Sequence, residues 1–355
     1  MPGRLIHEIE GGRARASGTS ARAAEKRFPF PAFPDGWFAL CFSGELPRGG
    51  VLSRRIFGRD VVVFRTESGL AAALDAHCPH MGAHIGRGGI VVGESVRCPM
   101  HAFRFAPDGA CVATGYGTRP PPKCRSGALA VVETNGAVLA HHDHRGIAPA
   151  WQVPDYGLAR PGGAALHTHV YRALPSHPQE TTENSVDLGH LGVVHGYEDV
   201  RVIEPLRTEG PYLTTRYAMR RRPLIPGTPA IRAEFTIHVW GLGFSYVDVD
   251  VVSHGFRARH LVLSTPTDGD HVDLHLGAMV TSSAPGLRLV PQRLLDLTLG
   301  RAVLQGFLGD VRQDFEVWAN KRYVHPPPLA QGDGPVGPYR RWARQFYGED
   351  AVAAE

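Results

Sequence analysis

The sequence predicts an α+β protein in two parts: a small all-β domain, then an antiparallel sheet accompanied by a long helix. Three observations predict it. Short β-type runs separated by glycine-rich turns fill the chain from residue 36 to about residue 140. Alternating apolar and polar residues recur at 231–240, 244–252, 260–264 and 272–280, the pattern of one antiparallel sheet. Residues 294–321 then place Leu304, Phe307, Leu308, Val311, Phe315 and Trp318 on one helical stripe.

At 355 residues, two domains are expected, with boundaries at 28–147 and 148–325. Residues 1–27 read as a polar, flexible arm and residues 326–355 as a tail with a short basic, aromatic helix. The stretch 28–34, rich in Pro and Phe, is expected to lie extended, and Gly36 to Leu40 begins the first strand. Runs at 61–64 and 71–74 follow. Asp108-Gly109 and Asn135-Gly136 are hairpin turns, the second joining strands at 130–132 and 138–140. His141, His142 and His144 read as a solvated loop between domains, and 149–161 as a linker. His167 and His169 alternate along a further strand.

Chemistry enters at Cys78-Pro79-His80 and Cys98-Pro99-Met100-His101, together C-x-H-x17-C-x2-H. Two thiolates and two imidazoles suit a lone zinc ion. They also suit a 2Fe-2S cluster with the cysteines on one iron and the histidines on the other. Each loop here offers one Cys and one His, so each can serve both irons, which favours the cluster of Rieske type. Ala83 and Met100 stand where high-potential Rieske proteins carry a disulfide, so no such clamp is expected.

The second chemical stretch runs from Glu183 to His195 and reads E-N-x2-D-x2-H-x4-H. Asp187 and His190 share one helical face. His190 and His195 are separated by about 140° on a regular helix. They converge on one metal only if the helix ends or bulges near Gly192-Val193-Val194. Two histidines and a carboxylate would leave Fe(II) open positions for O2 and substrate. For the carboxylate, Asp314 lies at the edge of the apolar stripe, near Phe307 and Trp318, and needs a partner there. Asp310 lies further round and reads as a solvated helix charge. Asn184 and Glu183 are candidates to support the ligands, with helix capping as the alternative.

Composition excludes some classes. The net charge of +4 is small for this length, so no nucleic-acid partner is expected. No apolar run approaches the roughly eighteen residues of a membrane span. The N-terminal stretch fits neither a signal nor a transit peptide well, so a cytoplasmic protein is expected. Cys41, Cys111 and Cys124 read as buried or incidental thiols of a reducing compartment.

The loops C-P-H-M-G-A and C-P-M-H-A-F resemble those of Rieske non-haem iron oxygenases and small Rieske ferredoxins. With the E-N-x2-D-x2-H-x4-H segment and a late helical aspartate, residues 36–347 resemble the oxygenase component. The branch of 3-ketosteroid 9α-hydroxylases and cholesterol 7-desaturases is similar in further detail. Asp314 to Lys321 resembles its D-x-E-I-W-x-x-K, a second reason for choosing Asp314. Asp333-Gly334-Pro335-Val336 and Arg340-Arg341-Trp342 resemble its C-terminus.

The resemblance implies a helix-grip catalytic domain and a homotrimer. In that trimer the cluster of one subunit, on Cys78, His80, Cys98 and His101, faces the iron of the next, on His190, His195 and Asp314, and Asp187 is the electron bridge between them. It implies O2 as cosubstrate and NAD(P)H used only indirectly, through a ferredoxin and/or a flavin iron-sulfur reductase. The substrate implied is bulky and apolar, such as a steroid or terpenoid, consistent with Phe235, Val239, Trp240, Phe244 and Tyr246 on the expected pocket strands. Hydroxylation is the reaction implied. Two alternatives remain open: an aryl or heteroaryl hydroxylase or O-demethylase, and a pure electron carrier with a non-catalytic second domain.

Overall fold

The computed structural model describes residues 27–159, 163–222, 230–282 and 289–348, side chains at 281 and 282 aside. Apart from Arg27, the expected N-terminal arm lies outside the described residues.

Ten strands build the first part: β1 (Gly36–Phe42), β2 (Val51–Ile56), β3 (Arg59–Arg65), β4 (Ala71–Asp75), β5 (Ile90–Val92), β6 (Ser95–Arg97), β7 (Arg104–Phe105), β8 (Cys111–Ala113), β9 (Val131–Thr134) and β10 (Ala137–His142). They form three antiparallel sheets, ordered β1-β10-β9, β2-β3-β4 and β5-β6-β7-β8. Asn135 and Gly136 both take positive φ, 53° and 80°, as a tight hairpin between β9 and β10 requires.

Every residue of β1 is buried, because both faces of the strand are covered. Phe38 and Leu40 pack among Val61, Val63 and Val138. Trp37, Ala39 and Phe42 pack the other way, against Phe244, Tyr246, Leu261 and Leu263 of the second part. The change of parity follows a register shift between Ala39 and Cys41. Thr265 Oγ1 donates to the Ala39 carbonyl at 2.8 Å, and the Phe57 amide donates to Pro266 at 3.0 Å. At Gly243 the parts approach so closely that a Cβ would lie 2.3 Å from the Trp37 carbonyl oxygen. The two parts are thus bonded and packed as one body.

The expected linker is not loose. Val153 and Leu158 are buried in the shared core, and the Trp151 carbonyl accepts the Trp37 indole N–H at 2.8 Å. His141 and His142 end β10 rather than lying in a solvated loop. His142 Nδ1 meets the Pro34 carbonyl at 3.1 Å, and His144 Nδ1 meets Asp35 at 2.7 Å.

The second part is a seven-stranded antiparallel sheet of β11 (His167–Pro175), β12 (Tyr197–Glu209), β13 (Tyr212–Arg221), β14 (Ile231–Trp240), β15 (Phe244–Val251), β16 (Phe256–Pro266) and β17 (His271–Ser282), in the order β11-β17-β16-β15-β14-β13-β12. The edge strand β12 carries no pattern that sequence reading detects, since nearly all its residues are exposed or half-exposed. Two short helices, α1 (Pro178–Glu183) and α2 (Leu188–Val193), separate β11 from β12.

The expected long helix is broken. α3 (Gln292–Leu295) passes through a π turn at Asp296–Gly300 into α4 (Arg301–Asn320). Leu304, Leu308 and Trp318 of α4 pack on Leu274, Leu276 and Ala278 of β17. α5 (Val336–Ala343) closes the described chain against α1. There Tyr339 Oη donates to the Gln179 carbonyl at 2.7 Å. The buried Glu183 receives Arg340 through two bonds of 2.6 and 2.9 Å, with Lys321 at 3.3 Å. Glu183 therefore anchors the C-terminal helix.

Arg340→Met keeps the stem and removes the charge, leaving buried Glu180 and Glu183 with Lys321 alone. Breaking one side of such a pair costs about 3–5 kcal/mol. A urea titration followed by tryptophan fluorescence is expected to show a loss of that size.

Candidate active site

The two ligand loops close in the same way. The Cys78 amide donates to Ala83 at 2.9 Å and the Gly82 amide to Cys78 at 2.8 Å. In the second loop the Cys98 amide donates to Phe103 at 2.8 Å and the Ala102 amide to Cys98 at 3.2 Å. The fifth loop residue takes positive φ in both, 77° at Gly82 and 55° at Ala102. An alanine in that region is strained, of the order of 1 kcal/mol.

Both cysteines are buried at the loop bases, and the His80 and His101 rings lie 4.8 Å apart. His80 stacks on Phe103 at 4.2 Å. Around these half-exposed rings stand the exposed Met81, Met100 and Tyr116. Burial pushes the Cys78 thiol up to about 11, with Cys98 adding to the shift, although the His80 and Met81 amides bond to the sulfur and draw it down. With its ionisation disfavoured in this way, the buried Cys78 sulfur needs a cation beside it to exist as a thiolate. Two cysteines and two histidines on matched loops fit an iron-sulfur cluster.

α2 carries the second motif. The Asp187 carboxylate caps it, accepting the His190 amide at 3.2 Å. His190 Nδ1–H donates to the Asp187 backbone carbonyl at 2.6 Å, while the carboxylate stands 3.9 Å away. That bond fixes the tautomer and leaves Nε2 free as a ligand atom. The direct link from Asp187 to His190 is thus made by the carbonyl, because the carboxylate is engaged as the helix cap.

The five-residue spacing works because α2 stops at Val193, and Gly196 turns the chain at φ 67°. The His190 and His195 rings then lie 4.9 Å apart. His195 Nδ1–H donates to Gln313 Oε1 at 2.9 Å, and His195 Nε2 faces Asp314 Oδ1 at 3.6 Å. His190, His195 and Asp314 offer one ligand atom each, all within 4.8 Å of one another. Burial pushes the Asp314 carboxyl up to about 6, against the His195 and Asn184 contributions that lower it. Burial also lowers His190, keeping it neutral as a metal ligand must be. This donor set fits a divalent metal such as Fe(II).

Asp310 is not a solvated charge. Arg221 grips it at 2.9 and 3.0 Å, and Tyr197 Oη donates to it at 3.1 Å. Tyr197, Arg221 and Gln313 carry no local signal, since their partners lie more than eighty residues away. A further trio, Asp35, Asp143 and His144, is brought together at the surface. Its aspartates already accept the backbone amides of His144, Arg145 and Ile147.

Beside His190, His195 and Asp314 opens a cavity of about 180 Å³, lined by Phe235, Ile237, Val247, Val262, Val311 and Trp318 among others. A second cavity of about 220 Å³ continues from it, between Val249, Val251, Phe256, Ala258 and Val303. Phe235 and Phe244 line the first cavity as expected. Val239 is core, and Trp240 and Tyr246 face away to meet Tyr156. Among the described residues no helix is long and apolar enough to cross a membrane.

The chain resembles known proteins over most of its length. Residues 36–124 match the Rieske 2Fe-2S domain, and residues 140–347 match the 3-ketosteroid 9α-hydroxylase C-terminal domain. The chain is 29% identical over 348 residues to a cholesterol 7-desaturase of Ciona intestinalis, covering 90% of this chain and 70% of the relative. It is 29% identical over 326 residues to the oxygenase component of a 3-ketosteroid-9-alpha-monooxygenase of Rhodococcus rhodochrous, covering 89% and 81%. Dicamba monooxygenase bound to dicamba shares the fold, with a TM-score of 0.66 over 92% of this chain and all of that one, at 18% identity.

Gln313→Leu frees the His195 ring to rotate. Titration of Co(II) into metal-depleted protein is expected to show an affinity about 10–100-fold weaker than wild type.

Proposed function

The chain belongs to the Rieske oxygenases with a 3-ketosteroid 9α-hydroxylase C-terminal domain, and from that premise we propose that it is the terminal oxygenase of a multicomponent system that hydroxylates a bulky apolar substrate, such as a steroid or terpenoid. The observation that carries the reading is the convergence of two imidazoles and one buried carboxylate on the wall of an apolar cavity. The names of the relatives, a steroid monooxygenase and a sterol desaturase, support the substrate class.

In this reading Cys78, His80, Cys98 and His101 hold the 2Fe-2S cluster, and His190, His195 and Asp314 hold a mononuclear Fe(II). When bound, the cluster supplies electrons one at a time and the iron supplies O2 chemistry. The protein supplies the rest. Gln313 and the Asp187 carbonyl set the orientation of the two imidazoles. Asn184 supports Asp314. Phe235, Ile237, Val247 and Trp318 exclude water and hold the substrate against the metal side of the cavity.

His80 and His101 sit at a half-exposed rim ringed by Met81, Met100 and Tyr116, which suits docking onto another subunit. We take the assembly to be a homotrimer in which that rim faces Asp187 of a neighbouring copy. The Asp187 carboxylate is 34% exposed, so it is open to such a partner. The electron donor is an NAD(P)H-linked reductase, directly or through a ferredoxin, in the cytoplasm. The pairing of β10 with β1 and β9 supports a Rieske domain ending after His142, near residue 147.

Metal analysis tests the assignment. The wild-type chain is expected to hold three irons and His190→Ala two, with the cluster's visible spectrum unchanged. Asp187→Ala is expected to retain all three irons yet lose turnover. Full activity in that variant would remove Asp187 from the electron path.

A further inference from the structure

The wall that β16 contributes to the cavities contains polar atoms for which the protein provides no partner. His260, Val262 and Ser264 alternate along β16 and all line the cavity beside His190, His195 and Asp314. His260 also lines the second cavity. The Nε2 atom of His260 is sealed from solvent and makes no hydrogen bond, and the imidazole lies flat on Phe307, 4.2 Å away. Ser264, 3% exposed, likewise has an unpartnered Oγ.

Two nearby polar groups are satisfied by comparison. Ser245 Oγ donates to the Val262 carbonyl at 2.8 Å, and Asp310 is held by Arg221 and Tyr197. The Tyr217 hydroxyl, which also lines the first cavity, is a third buried atom without a partner, on β13 rather than β16. Buried polar atoms are nearly always paired, so two open ones on a single cavity wall mark places where a bound molecule supplies the partner.

Charge narrows the class of molecule. Burial holds the His260 imidazole at about 4, so it is neutral at pH 7 and offers one donor and one acceptor nitrogen. Arg221, the one arginine or lysine among the described residues lining the cavities, is committed to Asp310. No free lysine or arginine among the described lining residues is available to a carboxylate. Spacing narrows it further, since four residues of strand separate His260 from Ser264 by about 13 Å.

We propose that His260 and Ser264 are specificity-determining residues that hydrogen-bond two neutral oxygen functions, ketone or hydroxyl, toward opposite ends of an otherwise apolar, rigid substrate. The proposal deepens the function put forward above and rests on reading this cavity as the substrate site. The oxygens fix which carbon of the body faces the metal side, so the pair sets the position of attack.

Equilibrium binding to the iron-loaded, oxidised protein tests it, without reductase or turnover. The probes are androst-4-ene-3,17-dione and the matched skeleton with a 17β-carboxylate in place of the 17-ketone. Wild type is expected to bind the dione at least tenfold more tightly than the carboxylate. His260→Phe, which keeps the stack on Phe307, and the near-isosteric Ser264→Ala are each expected to weaken dione binding about 3- to 10-fold. Their cluster spectra and melting temperatures should match wild type. Phe235→Trp, which fills the cavity, is expected to abolish binding. Loss in Phe235→Trp with unchanged affinity in both β16 variants would overturn the anchors and spare the site. Unchanged affinity in all three, or no dione binding by wild type, would overturn the site reading and the anchors with it. Equal binding of the carboxylate would overturn the assignment to neutral oxygens.

Discussion

Asp314 is buried on α4 among apolar side chains, and among the described residues no lysine or arginine pairs with it. A carboxylate in that position must be neutralised by a proton or a cation. The two imidazoles across from it have their Nδ1 atoms committed elsewhere, so the atoms they turn toward Asp314 are Nε2. Much of the second part serves to bring these groups together. α4 must lie across β17 for Asp314 to face inward, and α2 must stop at Val193 for His195 to turn. Glu183, gripped by Arg340 and Lys321, fixes the start of the segment between α1 and α2. Neutralising a buried charge is thus the constraint under which helices far apart in sequence are packed.

The same body carries the Cys78 and Cys98 loops. β1 is shared between the cores of the two parts, so the ligand loops are carried on a frame bonded to the catalytic sheet. Gly243 shows how close that contact is, since no side chain fits there. In the proposed trimer, rigid attachment keeps the rim presented by His80 and His101 in a fixed relation to the catalytic sheet.

Much of this was legible in the sequence, for identifiable reasons. Ligand loops are legible because chemistry fixes residue types at short spacing, as in Cys78 to His101. The position of Asp314 is legible because a helical stripe gives direction as well as burial. The break in α2 is legible because five-residue spacing demands one. Pairings across long separations leave no such trace. Nothing near Asp310 announces Arg221, nothing near His195 announces Gln313 except its place beside Asp314, and exposed β12 lacks alternation. Histidines are the hardest case. His260 and His275 both sit on β strands with neighbours of similar character. Yet His260 lines the cavity, whereas His275 faces the Rieske part and packs on Phe42. Only strand parity within the whole sheet separates them.

The central claim is that a chamber of apolar side chains beside His190, His195 and Asp314 is where O2 is used on a bulky apolar molecule. A single turnover without a partner protein tests it most directly. The protein is reduced chemically under argon, mixed with sterols and ketosteroids, exposed to labelled O2, and the products are weighed by mass spectrometry. The account predicts a steroid that gains one labelled oxygen, at most one per mononuclear iron. Reoxidation of the cluster with all three irons present and every steroid unchanged would contradict the substrate class. An unchanged pool with no iron held by His190, His195 and Asp314 after reconstitution would contradict the oxygenase itself.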